Sequence, residues 1–208
     1  MFNTLKFLIM GYYFSKFTGA EAAHLSPSAV LIINGVLIAL LLTSAITDTR
    51  QGKILNVVTF PAMLAGLLLN GIFGSTTGFV WALIGWCVGM AIQWVPFMLG
   101  FAKAGDVKLL AAVGALKGWA FCLFGFLYGA AAFGFLLLPW LARRGELGMV
   151  GQNIRNYFTT AAITQAVPNT PAPTVTKRFV PWGVGLAIGF FIALGLEIAL
   201  GRPLWFSF

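Results

Sequence analysis

Four stretches of this sequence run without a charge for about the length of a membrane crossing, and nothing else restricts its fold so strongly. Ala29 to Thr47, Ile54 to Ala102, Gly118 to Ala142 and Phe179 to Leu196 contain no Asp, Glu, Lys or Arg. A helical span needs roughly 20 predominantly apolar residues. The second run is about twice that length, and "GIFGSTTG" (Gly71–Gly78) divides it. In a chain of 208 residues that is 60% hydrophobic and 9% charged, a single soluble core cannot bury that much apolar surface. Lipid offers no partner for backbone N–H and C=O groups, so such runs become helices. The expected fold is all-α, a polytopic membrane helix bundle.

Six spans are expected, at about 29–47, 55–73, 79–101, 107–117, 119–142 and 180–200. The fourth covers only about half the hydrocarbon thickness at 1.5 Å per residue. It must begin inside the membrane, thin it, or be shielded by its neighbours. If it crosses, nine basic residues (Arg50, Lys53, Lys103, Lys108, Arg143, Arg144, Arg155, Lys177 and Arg178) share one side, against Lys6, Lys16, Lys117 and Arg202 on the other. The positive-inside rule then makes the nine-charge side cytoplasmic. This scatter over loops also accounts for the net charge of +8 without nucleic acid.

The chain divides into an N-terminal interfacial segment (1–28), a transmembrane core of five spans (29–142), a cytoplasmic loop (143–179) and a last helix with its tail (180–208). The first segment holds a short apolar run between Lys6 and Lys16, interrupted by Gly11, which is poor for a signal peptide. "PNTPAPT" marks the cytoplasmic loop as a linker. Small-residue pairs at Gly85/Gly89, Gly125/Gly129 and Gly185/Gly189 fit close helix packing within one bundle, with a homo-oligomer as the other use.

The chemistry rests on the acids. There are five: Glu21, Asp48, Asp106, Glu146 and Glu197. Glu21 and Glu146 lie in polar loops, and Glu197 is expected to pair with Arg202 or snorkel to the interface. Asp48 follows the first span, where the helix dipole disfavours an anion, so Arg50 or Lys53 would have to compensate it. Asp106, after Gly105, has the look of a helix N-cap. Lys108 is two positions on and would not face it along a helix. Together, the two aspartates lie on non-adjacent helices at nearly the same membrane depth, on the same face. Carboxylates at the membrane are costly and mark function. Two that face one another cannot both ionise easily, so they share a proton. One can then take a proton from water while the other donates to a carbonyl oxygen.

Competing hydrolytic chemistries lack their residues. The one histidine, His24, lies in the N-terminal loop, so neither a zinc cluster nor a serine–histidine pair is at hand. Cys87 and Cys122 lie in apolar segments without a base and read as packing residues. No metal and no cofactor are expected.

The motifs around the aspartates carry a family likeness. "DTRQGKILNVVT" (Asp48–Thr59) resembles the first aspartate motif of type IV prepilin peptidases, roughly D-x-R-x-x-x-I-P-N-x-x-T. "AGDVKLLAAVG" (Ala104–Gly114) is similar to their second, G-x-G-D-x-K-L. The aspartates are 58 residues apart with two spans between them, as in that family. The resemblance implies a GxGD-type membrane aspartyl protease with Asp48 and Asp106 as the catalytic pair. It implies an inner-membrane enzyme whose site faces the cytoplasm and removes the leader of a prepilin ahead of its hydrophobic N-terminal helix. The size points to the short CpaA/TadV-like branch serving Flp-type pili. The tetracysteine insertion of longer members is absent here, which leaves N-methylation without its expected site.

Support residues follow from the same motifs. Gly105 would turn the backbone sharply and leave room for substrate. Lys108 and Arg50 would hold membrane-lipid phosphates or tune the aspartates. Asn56 would satisfy backbone groups or pack between helices. Two departures stand out: Lys103 replaces the first glycine of GxGD, and Leu55 the proline before Asn56. The expected effect is altered loop geometry rather than lost chemistry. A proton- or ion-coupled transporter using Asp48 and Asp106 is the alternative, although no internal repeat supports it.

Overall fold

The computed structural model of the chain describes residues 27–98, 102–143, 152, 155, 159 and 182–200. Expectations for the N-terminal segment before Pro27, for His24, for most of the 143–179 loop and for Arg202 lie outside the described residues. The main helices are α1 (Pro27–Gln51), α2 (Asn56–Met98), α3 (Ala104–Lys117), α4 (Trp119–Arg143) and α5 (Trp182–Leu200). Ser28–Gln51, Asn56–Met98 and Trp182–Ala199 are long and apolar enough to cross a membrane, and Trp119–Phe135 is a shorter apolar helix.

α1 opens on Pro27, whose fixed φ suits a first helical turn. It closes at Gly52, where φ is 67° and the N–H donates to Asp48 O at 2.9 Å. α2 is two arms, 56–74 and 76–98, broken at Ser75 with φ 57° and ψ −156°. The break falls inside "GIFGSTTG", where the sequence divides its longest apolar run. The arms double back on each other, with Gly78 against the Asn70 backbone.

Apolar side chains lie on the outside of the bundle as well as in its core. On α1, Leu31, Leu42 and Ile46 are exposed, while Ser44 and Asp48 are buried beside Leu37 and Leu41. Apolar side chains can face lipid at no cost, so close helix contacts draw on small residues beside a core of Leu, Ile and Phe. The three glycine pairs serve that packing within the chain. Gly85 and Gly89 lie against the α3 backbone at Gly114 and Leu110, and Gly129 and Gly125 against α5. Phe121 and Phe190 stack across the α4–α5 contact, 6.1 Å between centroids.

α3 settles how a helix of 14 residues can sit in a bundle of longer ones. Every residue from Leu109 to Leu116 is buried. Of the three options for a short span, shielding by neighbours is the one adopted. The first arm of α2 runs parallel to α3, with Gly66 at Ala115, and the second runs antiparallel, with Gly89 at Leu110. A helix enclosed this way must satisfy its last carbonyls inside the protein. Asn70 Nδ2 does so, donating to Ala115 O at 3.0 Å and Leu116 O at 3.2 Å as well as to Gly66 O at 2.8 Å. An Asn70→Leu variant orphans two carbonyls, at about 1–3 kcal/mol for a buried group. Thermal unfolding in detergent will show a lower midpoint for this variant than for wild type.

Candidate active site

Two aspartates are buried in this bundle, Asp48 with 2% exposure and Asp106 with 3%. Asp48 lies in the last turn of α1, at the helix end that repels an anion. The compensation comes neither from Arg50 nor from Lys53, both of which are exposed. It comes from the start of α5. The Gly183 N–H donates to Asp48 Oδ2 at 2.8 Å, and the Val184 N–H also reaches the carboxyl. The first turn of a helix carries N–H groups with no internal partner and the positive end of its dipole, so it suits a carboxylate. Gly183 is required by space as well. A Cβ there would stand 2.7 Å from Asp48 Oδ2.

Asp106 is not the N-cap of α3, as the sequence led one to expect. The helix begins two residues earlier, Lys103 holds the cap position, and Asp106 is the third helical residue. Its Oδ2 accepts the Lys103 N–H at 3.0 Å, while its own N–H donates to Lys103 O at 3.0 Å. The role of helix-start anchor is kept, one turn further in. Both aspartates therefore have a carboxyl oxygen fixed by backbone N–H groups at a helix start. The two are close enough for the charge of Asp48 to act on Asp106, and the charge of Lys103 acts on both.

Lys103 takes the place of the first glycine of GxGD without backbone strain. Its φ of −92° and ψ of 153° are extended backbone open to any residue, so no glycine is needed there. Its Nζ reaches Gly52 O at 3.0 Å, tying the end of α1 to the start of α3. Leu55 likewise fills its role, since its carbonyl accepts the N–H groups of Val58 and Thr59 at 3.1 and 3.2 Å.

The other motif residues are placed differently from expectation. Gly105 makes no sharp turn: it is helical, and the positive-φ glycines among the described residues are Gly52 and Gly118. Nor does it leave room for a substrate, because Ile54 fills the space, 3.0 Å from where a Cβ would be. Asn56 begins α2. Its Oδ1 accepts from Lys108 Nζ at 2.8 Å, and that ammonium lies 5.1 Å from the Phe60 ring centre. Lys108 thus ties α3 to α2 and forms no ion pair with the aspartates. Arg50 is exposed on the last turn of α1. Among the described residues, no three metal-ligand side chains gather. Cys122 packs inside, its thiol 3.3 Å from Leu110 O.

Gly183 is the residue that the motifs do not announce. It lies 135 positions from Asp48, and "PWGVG" carries no catalytic signature.

A model of the type IV leader peptidase family matches residues 35–138. Relatives include a prepilin leader peptidase/N-methyltransferase of Klebsiella pneumoniae, 35% identical over 107 residues, which covers 47% of this chain and 46% of the relative. One of the same description from Escherichia coli K12 is 25% identical over 201 residues, covering 91% of this chain and 72% of the relative. Another from Burkholderia pseudomallei strain 1026b is 36% identical over 107 residues, 49% of this chain and 34% of the relative. The matches thus span less than half the length of the Klebsiella and Burkholderia proteins. No solved structure matches the chain.

Proposed function

This chain belongs to the type IV leader peptidase family, and we propose that it is a membrane aspartyl endopeptidase that removes prepilin leaders with Asp48 and Asp106. The observation that carries the reading is the buried pair itself. Two carboxyls from distant helices come within reach of each other's charge, each held by backbone N–H donors at a helix start. One carboxylate accepts a proton from a water, whose oxygen attacks the scissile carbonyl carbon. The protonated partner donates to the carbonyl oxygen, giving a tetrahedral diol. Collapse breaks the C–N bond as the first carboxyl gives its proton to the amide nitrogen and a diol hydroxyl gives one to the second, so the pair ends with one proton, as it began. Fixing one oxygen of each carboxyl keeps the reacting groups aligned, which is worth much of such a barrier.

The substrate is a prepilin with a hydrophobic N-terminal helix, cut at the cytoplasmic membrane face. The nine-to-four distribution of basic residues supports that orientation. The motifs "DTRQGKILNVVT" and "AGDVKLL" support a type IV prepilin as substrate.

The test is direct. Solubilised protein incubated with an Flp-type prepilin will yield a mass lower by the leader, and the Asp48→Ala, Asp106→Ala double variant will not. Equal cleavage by that double variant rules the mechanism out. A Lys103→Gly variant will not exceed wild-type cleavage, because the cap position is already unstrained with lysine. A gain in rate would show that the lysine distorts the site.

A further inference from the structure

A second polar cluster lies far from the aspartates, in residues the proposed chemistry does not use. Lys117, the last residue of α3, donates to Glu197 Oε1 of α5 at 3.0 Å and to Asn34 Oδ1 of α1 at 3.0 Å. Its ammonium also lies 5.2 Å from the Phe121 ring centre. The Lys117 side chain is 9% exposed and that of Glu197 22%. The second oxygen of Glu197, Oε2, is buried without a hydrogen bond among the described residues.

The cluster joins the same three helices that meet at the aspartates. α1 carries Asn34 and Asp48, α3 carries Lys117 and Asp106, and α5 carries Glu197 and Gly183. Asn34 precedes Asp48 by 14 residues, and Glu197 follows Gly183 by 14. At 1.5 Å per residue, both separations are about 21 Å. α1 and α5 thus run antiparallel between two polar rungs of equal spacing, and α3 spans most of the same interval. Helices are stiff along their axes, so a slide at one rung appears at the other.

We propose that Lys117 is a positioning residue: through Glu197 and Asn34 it sets the axial register of α5 and α3 against α1, and so keeps the Gly183 N–H on Asp48 and Asp106 opposite it. Apolar contacts in a membrane give little preference among registers, because lipid competes for the same surface. A charge-assisted pair is directional. A slide would leave a carboxylate and an ammonium separated in a low dielectric, which is costly. Buried polar contacts are best attested as setters of register in helical assemblies.

The catalytic consequence rests on the peptidase reading above; the register itself does not. Two readouts on the full-length protein separate them: prepilin cleavage, with kcat and KM resolved, and amide exchange in the first turn of α5. Lys117→Met is expected to lower kcat about tenfold to a hundredfold, the effect of a remote misplacement, with KM nearly unchanged. It is also expected to speed exchange at Gly183 and Val184. Lys117→Arg keeps both near wild type. If Lys117→Met does not fold, Glu197→Gln replaces it, with the same pattern at smaller size. Unchanged exchange at Gly183 in the variant overturns the proposal. So does a loss in Lys117→Arg equal to that in Lys117→Met. If wild type leaves prepilin uncut, the peptidase reading fails while exchange still decides the register.

Discussion

An Asp106→Asn variant is expected to cleave prepilin at least about a thousandfold more slowly than wild type, within the range attributed to general acid–base catalysis. Asparagine keeps the size and an oxygen that can still accept the Lys103 N–H, so the start of α3 survives. What is lost is the exchangeable proton. Asp48→Asn behaves alike, and combining the two adds little, because residues acting as a unit are not additive. Single-turnover cleavage measured beside thermal unfolding separates the chemical loss from a folding defect. Activity near wild type in either single variant removes that aspartate from the chemistry.

The second large effect comes from outside the family-matched segment. Gly183→Ala puts a methyl group 2.7 Å from Asp48 Oδ2 and 3.0 Å from its Cγ, too close for the carboxyl to stay where it is. A displacement of that order costs on the order of a hundredfold in rate. Gly195→Ala is the matched control on the same helix, since nothing lies within 4 Å of its Cβ position. The expected result is a large loss of cleavage for Gly183→Ala and little change for Gly195→Ala. Equal rates in both would mean that Asp48 does not need its place beneath α5.

Local patterns reveal local structure, and the sequence is informative to that extent. The uncharged runs announce the helices, "GIFGSTTG" announces the break, and the two motifs single out Asp48 and Asp106. What they miss depends on partners far along the chain. Asp48 is read beside Arg50 and Lys53 because they are its neighbours, whereas its donor is Gly183. Glu197 likewise has a partner that no local pattern announces, Lys117, 80 positions away. Gly105 invites a turn because glycine permits one, yet the site uses its small size against Ile54. Asp106 is displaced by one turn from its expected role because Lys103, not a residue suited by side chain to capping, takes the cap.

The dependence of Asp48 on Gly183 has a consequence for biosynthesis. Translation delivers both acids before the glycine, which follows Asp106 by 77 residues. A ribosome-bound chain that has threaded its first helices into the membrane therefore carries an unfinished dyad. On the proposed reading, the site is complete only once α5 has docked against α1.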